Sequence, residues 1–447
     1  MLNKLINKIG FSEYGFKRYF KNTTWLFVDF GYTLLVSFFV GLAAARYLGP
    51  EFYGVMVYSL TLYAVTLGIS GFGFDGIAAR DALKDKDKTN IIFGTYFYTK
   101  LWSSFILFII SLFILNANFS GIKLLAGIFV LSSLILQPIG IINTYFNMRV
   151  ESKFNSISKM IGTTISSILK ISFIIFEFPV QFFAFAVLID TFITVTMLLI
   201  FFLKRNNSFR NWKFDRTYFL YLFKSNWPMI IITILSAIYT KINIFMIGSI
   251  MSDKDIGIYG AAFKLTEIWY HIPALIITSL FPAIVAAKVN DGHEYNRRIS
   301  SLLRLLVFPF IMIALITSLI GPFLINLLLG NSFNNSSYIL VVLIWTLPFH
   351  AFYVVTMDYL IVENRVLKSM YRPLLALILL VTFNFIFYNI HKDVISFAYS
   401  LLFSHFISFF ILDIVFADSR KLFLMKVDSI IFPIKYLFKI TFKRKNK

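Results

Sequence analysis

Cysteine is absent from the 447 residues, which removes small disulfide-stapled secreted modules. Charge is scarce. Asp, Glu, Lys and Arg make up 14% of the chain, against roughly 25% in a soluble domain, so soluble globular and disordered readings both fail. Histidine occurs only five times, with no metal-ligand spacing and no H-E-x-x-H. There is no G-x-x-x-x-G-K-[ST], so no nucleotide-driven pump is encoded. The basic start runs into a full-length apolar stretch without an A-x-A site, so no cleaved signal peptide is expected.

Apolar surface is what the chain has in excess. Hydrophobic types reach 58%, with 54 Phe and 23 Tyr. A bilayer core about 30 Å thick needs about 20 apolar residues per helix. Twelve such stretches can be marked, near 24–45, 55–79, 91–115, 123–148, 160–176, 180–203, 226–250, 258–286, 302–329, 338–362, 373–390 and 394–416. A β-barrel would show alternating segments of about 10 residues instead. Pro228, Pro273, Pro282, Pro309, Pro322 and Pro348 fall inside or at the ends of these stretches, which membrane helices tolerate. The fold expected is an all-α polytopic membrane protein with 12 transmembrane helices.

The net charge of +20 first suggests nucleic acid. Position decides otherwise. Of the 42 Lys and Arg, 34 lie before span 1, after each even span or after span 12; four (Arg46, Lys123, Lys254, Lys392) lie in the opposite connections and four within spans. This alternation places both termini in the cytoplasm and leaves no role for nucleic acid. The longest internal connection, 204–225, separates six spans from six. The expected organisation is thus a cytoplasmic amphipathic N-terminus (1–23), an N-lobe (24–203), a cytoplasmic linker (204–225), a C-lobe (226–416) and a basic cytoplasmic tail (417–447). The two tails mix Lys with Phe, Leu and Ile, and read as segments lying on the anionic inner leaflet. Topology favours internal duplication, with weak echoes: Gly54-Val-Met-Val and Gly257-Ile-Tyr-Gly open spans 2 and 8, and Arg149-Val150 and Arg365-Val366 follow spans 4 and 10.

A charged side chain at a membrane helix centre costs about 2.5–3.5 kcal/mol on insertion scales and usually faces the bundle interior. The deep cations are Lys100, Lys170, Lys241 and Lys264; the deep acids are Asp29, Asp190 and Glu267. Lys264, Glu267 and His271 share one helix face at i, i+3 and i+7. Either Glu267 is an ion-coupling group with His271 as its switchable neighbour, or Lys264 and Glu267 form a structural pair. Lys100, Lys170 and Lys241 lack partners on their own helices. Either they line a hydrophilic lumen that attracts phosphate or acidic sugars, or they pair with Asp29 or Asp190. Tyr and Trp read mainly as interfacial belts. Asp85-Lys-Asp87 and Asp253-Lys-Asp255 are reminiscent of a metal-binding carboxylate pair, but each sits in a short turn with no accompanying domain. No extracytoplasmic connection is long enough to fold as a domain, which argues against an enzyme.

The segment Arg46-Tyr-Leu-Gly-Pro-Glu-Phe-Tyr-Gly-Val-Met-Val, continuing to Gly71-Phe-Gly-Phe-Asp-Gly-Ile-Ala-Ala-Arg80, resembles the opening of the polysaccharide (Wzx-type O-antigen) flippases of the multidrug/oligosaccharidyl-lipid/polysaccharide (MOP) exporter superfamily. The motif covers about 35 residues, and Arg46, Asp75 and Arg80 match its pattern. The resemblance implies two six-helix lobes in a V, as in MATE exporters, around a central cavity. It implies a bacterial inner-membrane flippase that moves an undecaprenyl-pyrophosphate-linked oligosaccharide of O-antigen or capsule type outward by alternating access. Joined to the reading of the deep charges, which no family motif supplies, Lys100, Lys170, Lys241 and Lys264, with Arg46 and Arg80, would contact the substrate. On the same reading Glu267, His271, Asp29 and Asp190 would couple H⁺ or Na⁺, with no cofactor. Its partners would be the lipid-linked glycan, membrane lipids and glycan polymerase or assembly proteins. The rival readings are a drug or cation exporter of the same superfamily, a flippase of the peptidoglycan lipid precursor, and a membrane glycosyltransferase or polymerase.

Overall fold

The computed structural model describes residues 13–205, 207–290, 292–363, 365–416 and 419–445. The amphipathic reading of residues 1–12 and the last two basic-tail positions lie outside them. Among the described residues the chain is helical throughout, with no β-strand. Among the described residues nine helices are long and apolar enough to cross a membrane, or ten if one bent pair counts as a span. The chain is a multi-pass membrane protein, and it divides into two compact units, Met1–Ala237 and Ile238–Lys447.

The first unit opens with α1 (Glu13–Ser70), followed by α2 (Asp75–Lys84), α3 (Thr89–Asn118) and α4 (Gly121–Leu136). A continuous 58-residue helix would run about 87 Å, far more than a bilayer needs. It is broken at Gly49, where φ 69° and ψ 171° define a region open essentially to glycine alone. Pro50 then starts the next helical segment, with φ already set for it. The sequence predicts one span over 55–79. The structure ends the helix at Ser70, passes through Phe72 and Gly73 at positive φ, and restarts at Asp75. Average hydropathy reads straight through such a break because Gly-Phe-Gly-Phe is itself apolar.

A 3₁₀ turn, Gln137–Gly140, leads from α4 into α5 (Ile141–Met148); α6 (Lys153–Ile175) and α7 (Val180–Lys204) follow. At one end of this unit a core of Phe93, Tyr145, Phe146, Phe202 and Trp212 is fully or almost fully buried. The predicted polar linker is anchored here. Trp212 packs 4.6 Å from the Phe209 ring and 5.7 Å from Phe202. Lys213 donates its backbone N–H to Asn90, and Asp215 to Thr95 Oγ1. Gly94 makes room, since a Cβ there would sit 2.5 Å from the Lys213 backbone.

Helix α8 (Arg216–Ile250) contains the division between the units. The second unit continues through α9 (Asp253–Asn290), α10 (Gly292–Leu329), α11 (Asn334–Leu343), α12 (Thr346–Val362), α13 (Val366–His391) and α14 (Ile395–Phe406). The expected span 338–362 is bent by 48° between α11 and α12. The expected last span contains a π-turn, Ile407–Ile411, before α15 (Leu412–Val415). Helix α16 (Arg420–Lys445) differs from the predicted surface-lying tail. It packs against α10 and buries Leu422, Lys426 and Ser429 completely.

Candidate functional site

In the first unit, α1, α6 and α7 bring polar groups together inside apolar spans. Asp29 is 8% exposed, accepts a hydrogen bond from Thr33 Oγ1 at 3.0 Å and lies 3.9 Å from Lys159 Nζ. On the facing side Lys170 and Asp190 act on one another electrostatically. Thr194 Oγ1 is 3.5 Å from Asp190 Oδ1. Helices α6 and α7 meet closely because Gly162 lies opposite: a Cβ there would fall 2.2 Å from Thr194 Oγ1 and 2.8 Å from the Asp190 carbonyl oxygen. Tyr63, hydrogen-bonded by Gln137 Nε2 at 2.5 Å, also faces Asp190.

A second cluster forms where α1 ends and α2 begins. Asp75, the first residue of α2, accepts a hydrogen bond from Thr144 Oγ1 at 2.6 Å. Its charge acts on Lys100, which is buried and holds Nζ 5.9 Å from the centre of the Tyr96 ring.

The second unit holds a third cluster. Lys241 Nζ donates to Glu267 Oε1 at 2.6 Å and lies 5.1 Å from the Phe263 ring centre. One turn beyond Glu267, the Tyr270 hydroxyl is 2.6 Å from Thr346 Oγ1, and its ring stacks on His350 with centroids 4.0 Å apart. Tyr239 Oη lies 2.8 Å from His405 Nδ1. The Tyr270 and His350 rings are each 6.1 Å from His405.

The expected partners are found in part. Helical spacing offers Lys264 to Glu267, and the paired alternative sets Lys100, Lys170 and Lys241 against Asp29 or Asp190; of these, Lys170 does act with Asp190. The structure gives Glu267 to Lys241, and Asp29 to Lys159, a lysine that the sequence places in a connection. Lys264 is half-buried on the same helix as Glu267, and His271 is exposed in the isolated chain. Arg46 is exposed. Arg80 is also exposed and pairs with its neighbour Asp81 at 3.0 Å. The Asp-Lys-Asp turns serve local structure: Asp85 receives the Lys88 backbone N–H at 3.3 Å and Nζ at 3.0 Å, which holds its carboxyl below the usual range. Asp255 accepts from the Ser252 hydroxyl and backbone N–H. Among the described residues no three His, Asp or Glu side chains converge as a metal site would require.

Sequence reasoning missed one group entirely. Asp413 and Lys426 are fully buried, and Arg372 nearly so. Arg372 Nη2 lies 2.5 Å from Asp413 Oδ1, and Lys426 Nζ contacts Asp413 Oδ2. Lys426 also donates to Thr356 Oγ1 at 2.6 Å and to the Phe409 carbonyl at 2.7 Å. That carbonyl belongs to the π-turn, where the helical ladder is loosened. The available signal was Asp413 itself, a lone acid inside the last apolar stretch.

A family model described as "Polysaccharide biosynthesis protein" matches residues 43–338. No curated relative matches in sequence. Among solved structures, the chain is similar to an inward-facing MATE multidrug resistance transporter of the MOP superfamily, at TM-score 0.69 and 15% identity, covering 86% of this chain and 94% of that one. It is similar to the lipid II flippase MurJ in an inward closed conformation, at TM-score 0.71 and 13% identity, covering 94% and 93%. A MOP superfamily transporter from Pyrococcus furiosus, whose binding pocket is described as reversed in polarity, gives TM-score 0.62 and 16% identity, covering 90% and 95%.

Proposed function

The chain belongs to the polysaccharide biosynthesis protein family and has the fold of MOP superfamily transporters; from that premise we propose that it is a flippase for an oligosaccharide linked to undecaprenyl pyrophosphate. It would carry an O-antigen or capsule-type repeat unit from the cytoplasmic to the outer face of a bacterial inner membrane, by alternating access and without chemical conversion. The problem solved is physical. The sugars and the pyrophosphate lose their hydration in hydrocarbon and gain nothing in return, so the glycan needs a polar route while the lipid tail stays in the bilayer.

The observation that carries the reading is the set of ionisable groups inside the apolar spans of both units, above all Lys241–Glu267 at 2.6 Å. Such groups mark substrate or ion pathways. In this reading Glu267 and His271, with Asp29 and Asp190, respond to an H⁺ or Na⁺ gradient. Protonating or metallating Glu267 would release Lys241 to an anionic substrate, and Lys100, Lys170 and Lys264 would assist along the route.

Two measurements test this. Cells lacking the protein should accumulate lipid-linked glycan on the inner leaflet and lose surface glycan, both reversed by the intact chain. Unchanged surface glycan refutes the function. In reconstituted vesicles, Glu267→Gln should weaken the dependence of transport on the ion gradient; an unaltered dependence removes Glu267 from coupling.

A further inference from the structure

A further group of basic side chains lies outside the three clusters. At the end of the first unit that carries the basic connections, a cavity of about 850 Å³ is bounded by α2, the start of α3, the loop after α5 and the linker. Arg18, Lys86 and Arg149 come to it from three separate parts of the chain. Arg18 Nη2 donates to the Arg149 carbonyl at 2.6 Å, so α1 is tied to the loop that carries Arg149. The Arg149 guanidinium lies 4.4 Å from the Tyr145 ring centre. No carboxylate of the described residues lies within ion-pair distance of any of the three cations. The one acid in the wall, Glu151, is taken by Arg205 at 3.4 Å. Three like charges around one cavity repel unless an anion joins them.

The frame of the cavity is rigid. Trp212 and Tyr145 in its wall are each about 95% buried, and the linker is fastened to α3 as described. Val150, between Arg149 and Glu151, has φ 58°, a region that a β-branched residue enters only when its surroundings impose it. The turn is closed by Glu151 N–H to the Phe146 carbonyl at 2.9 Å. The volume falls within the range of small-molecule sites. Asn90 and Asn211 add neutral donors and acceptors to the wall.

We propose that this cavity binds a phosphate-bearing anion, a pyrophosphate or a phosphomonoester, held by Arg18, Lys86 and Arg149. Two guanidinium groups and an ammonium suit phosphate oxygens, because the planar forks donate in pairs. The site is separate from the intramembrane clusters, and its binding is read without a transport assay, so its failure and that of the transport reading are distinguishable.

The test uses the purified full-length chain and inorganic pyrophosphate at constant ionic strength, read as the rise in thermal midpoint with concentration. A saturable rise is expected. Its half-saturation should increase at least about tenfold in Arg149→Gln and in Lys86→Gln, each losing one charge-assisted contact. It should not move in Lys421→Gln, an exposed lysine of α16. Lys86 is exposed on a turn, so its variant folds even if the Arg149 variant does not. No saturable rise, or equal half-saturation in all four chains, overturns the proposal. Repeating the titration in phosphatidylcholine nanodiscs with and without phosphatidic acid identifies the source. Competition that disappears in Lys86→Gln assigns the site to a lipid headgroup; its absence from the intact chain assigns it to a soluble phosphate compound.

Discussion

Replacing Asp413 by Asn should destabilise the second unit more than replacing Lys426 by Met. The reason is the count of charges in one buried group. Arg372, Lys426 and Asp413 carry two positive charges and one negative, with side-chain exposures of 4%, 0% and 0%. Removing Lys426 leaves Arg372 and Asp413 as a one-to-one pair, still in contact at 2.5 Å. What is lost is the donor to Thr356 and to the Phe409 carbonyl, and buried acceptors left open cost about 1–3 kcal/mol. Removing Asp413 instead leaves two buried cations facing each other. Breaking a buried pair in that way costs about 3–5 kcal/mol. At about 2–4 °C per kcal/mol for a unit of this size, the thermal midpoints of the two variants should separate clearly. Thermal unfolding of both purified variants in the same detergent reads the difference. The double variant Asp413→Asn/Lys426→Met should recover part of the loss, because one surplus cation has gone with the acid. If Lys426→Met proves the more damaging, or if the double variant is the worst of the three, the charge-count argument is wrong.

The same surplus sets a pH dependence. Lys426 is pushed down to about 8, chiefly by the loss of water around it, with Asp413 opposing and Arg372 adding to the shift. Between about 8 and the ordinary lysine value the unfolded chain holds a proton that the folded one has released, so stability rises with pH in that window. The intact chain should therefore gain midpoint relative to Lys426→Met as pH increases above 8; parallel curves would remove Lys426 as the cause. A third prediction concerns the contact of α6 with α7. Gly162→Ala forces a methyl against Thr194 and the Asp190 backbone, and overpacking of this kind costs about 1–3 kcal/mol. Gly31→Ala, with nothing within 4 Å of its Cβ, should be neutral or stabilising by up to about 1 kcal/mol through helix propensity. Equal shifts for the two alanines would show that close packing at Gly162 has no special weight.

Which parts of this architecture could be read from the sequence follows from what each signal measures. Hydropathy measures the environment of a stretch, so the helical membrane class was legible. It does not measure backbone continuity, and the breaks at Gly49 and Gly71–Phe74 came through only as a family-like motif. Cost identifies deep charges: a lysine amid Phe and Ile must be satisfied somewhere, and that marked Lys100, Lys170 and Lys241. It says nothing about the partner, because the partner sits on another helix and packing alone decides which face meets it. Helical spacing offered Lys264 for Glu267, yet a same-face pair on one helix is worth only about 0.2–0.5 kcal/mol. That is easily outweighed by a direct contact such as Lys241–Glu267 across two helices. Lys426 shows the same limit from the other direction, since its basic neighbourhood marked it as a surface residue and its burial depends on a π-turn whose Phe409 carbonyl lies 17 positions earlier in the chain.

The pairing has a consequence for how an anionic substrate would be attracted. Lys100, Lys170 and Lys241 each face a carboxylate: Asp75, Asp190 and Glu267 respectively. Their positive charge is largely cancelled at a distance, and a phosphate approaching from water would feel little of it. Arg18, Lys86 and Arg149, at the basic end of the first unit, have no such acid partner among the described residues; there solvent screens beyond about 8 Å but a cavity wall focuses the field. Capture and passage would then be separate tasks. Capture needs standing positive charge at the water-facing end. Passage needs paired charges that open only when an ion or a phosphate replaces one member, because an unpaired lysine inside a span would raise the cost of folding the helix that carries it. A substrate-free chain is thus expected to hold Lys100, Lys170 and Lys241 closed on their acids and to leave Arg18 and Arg149 open.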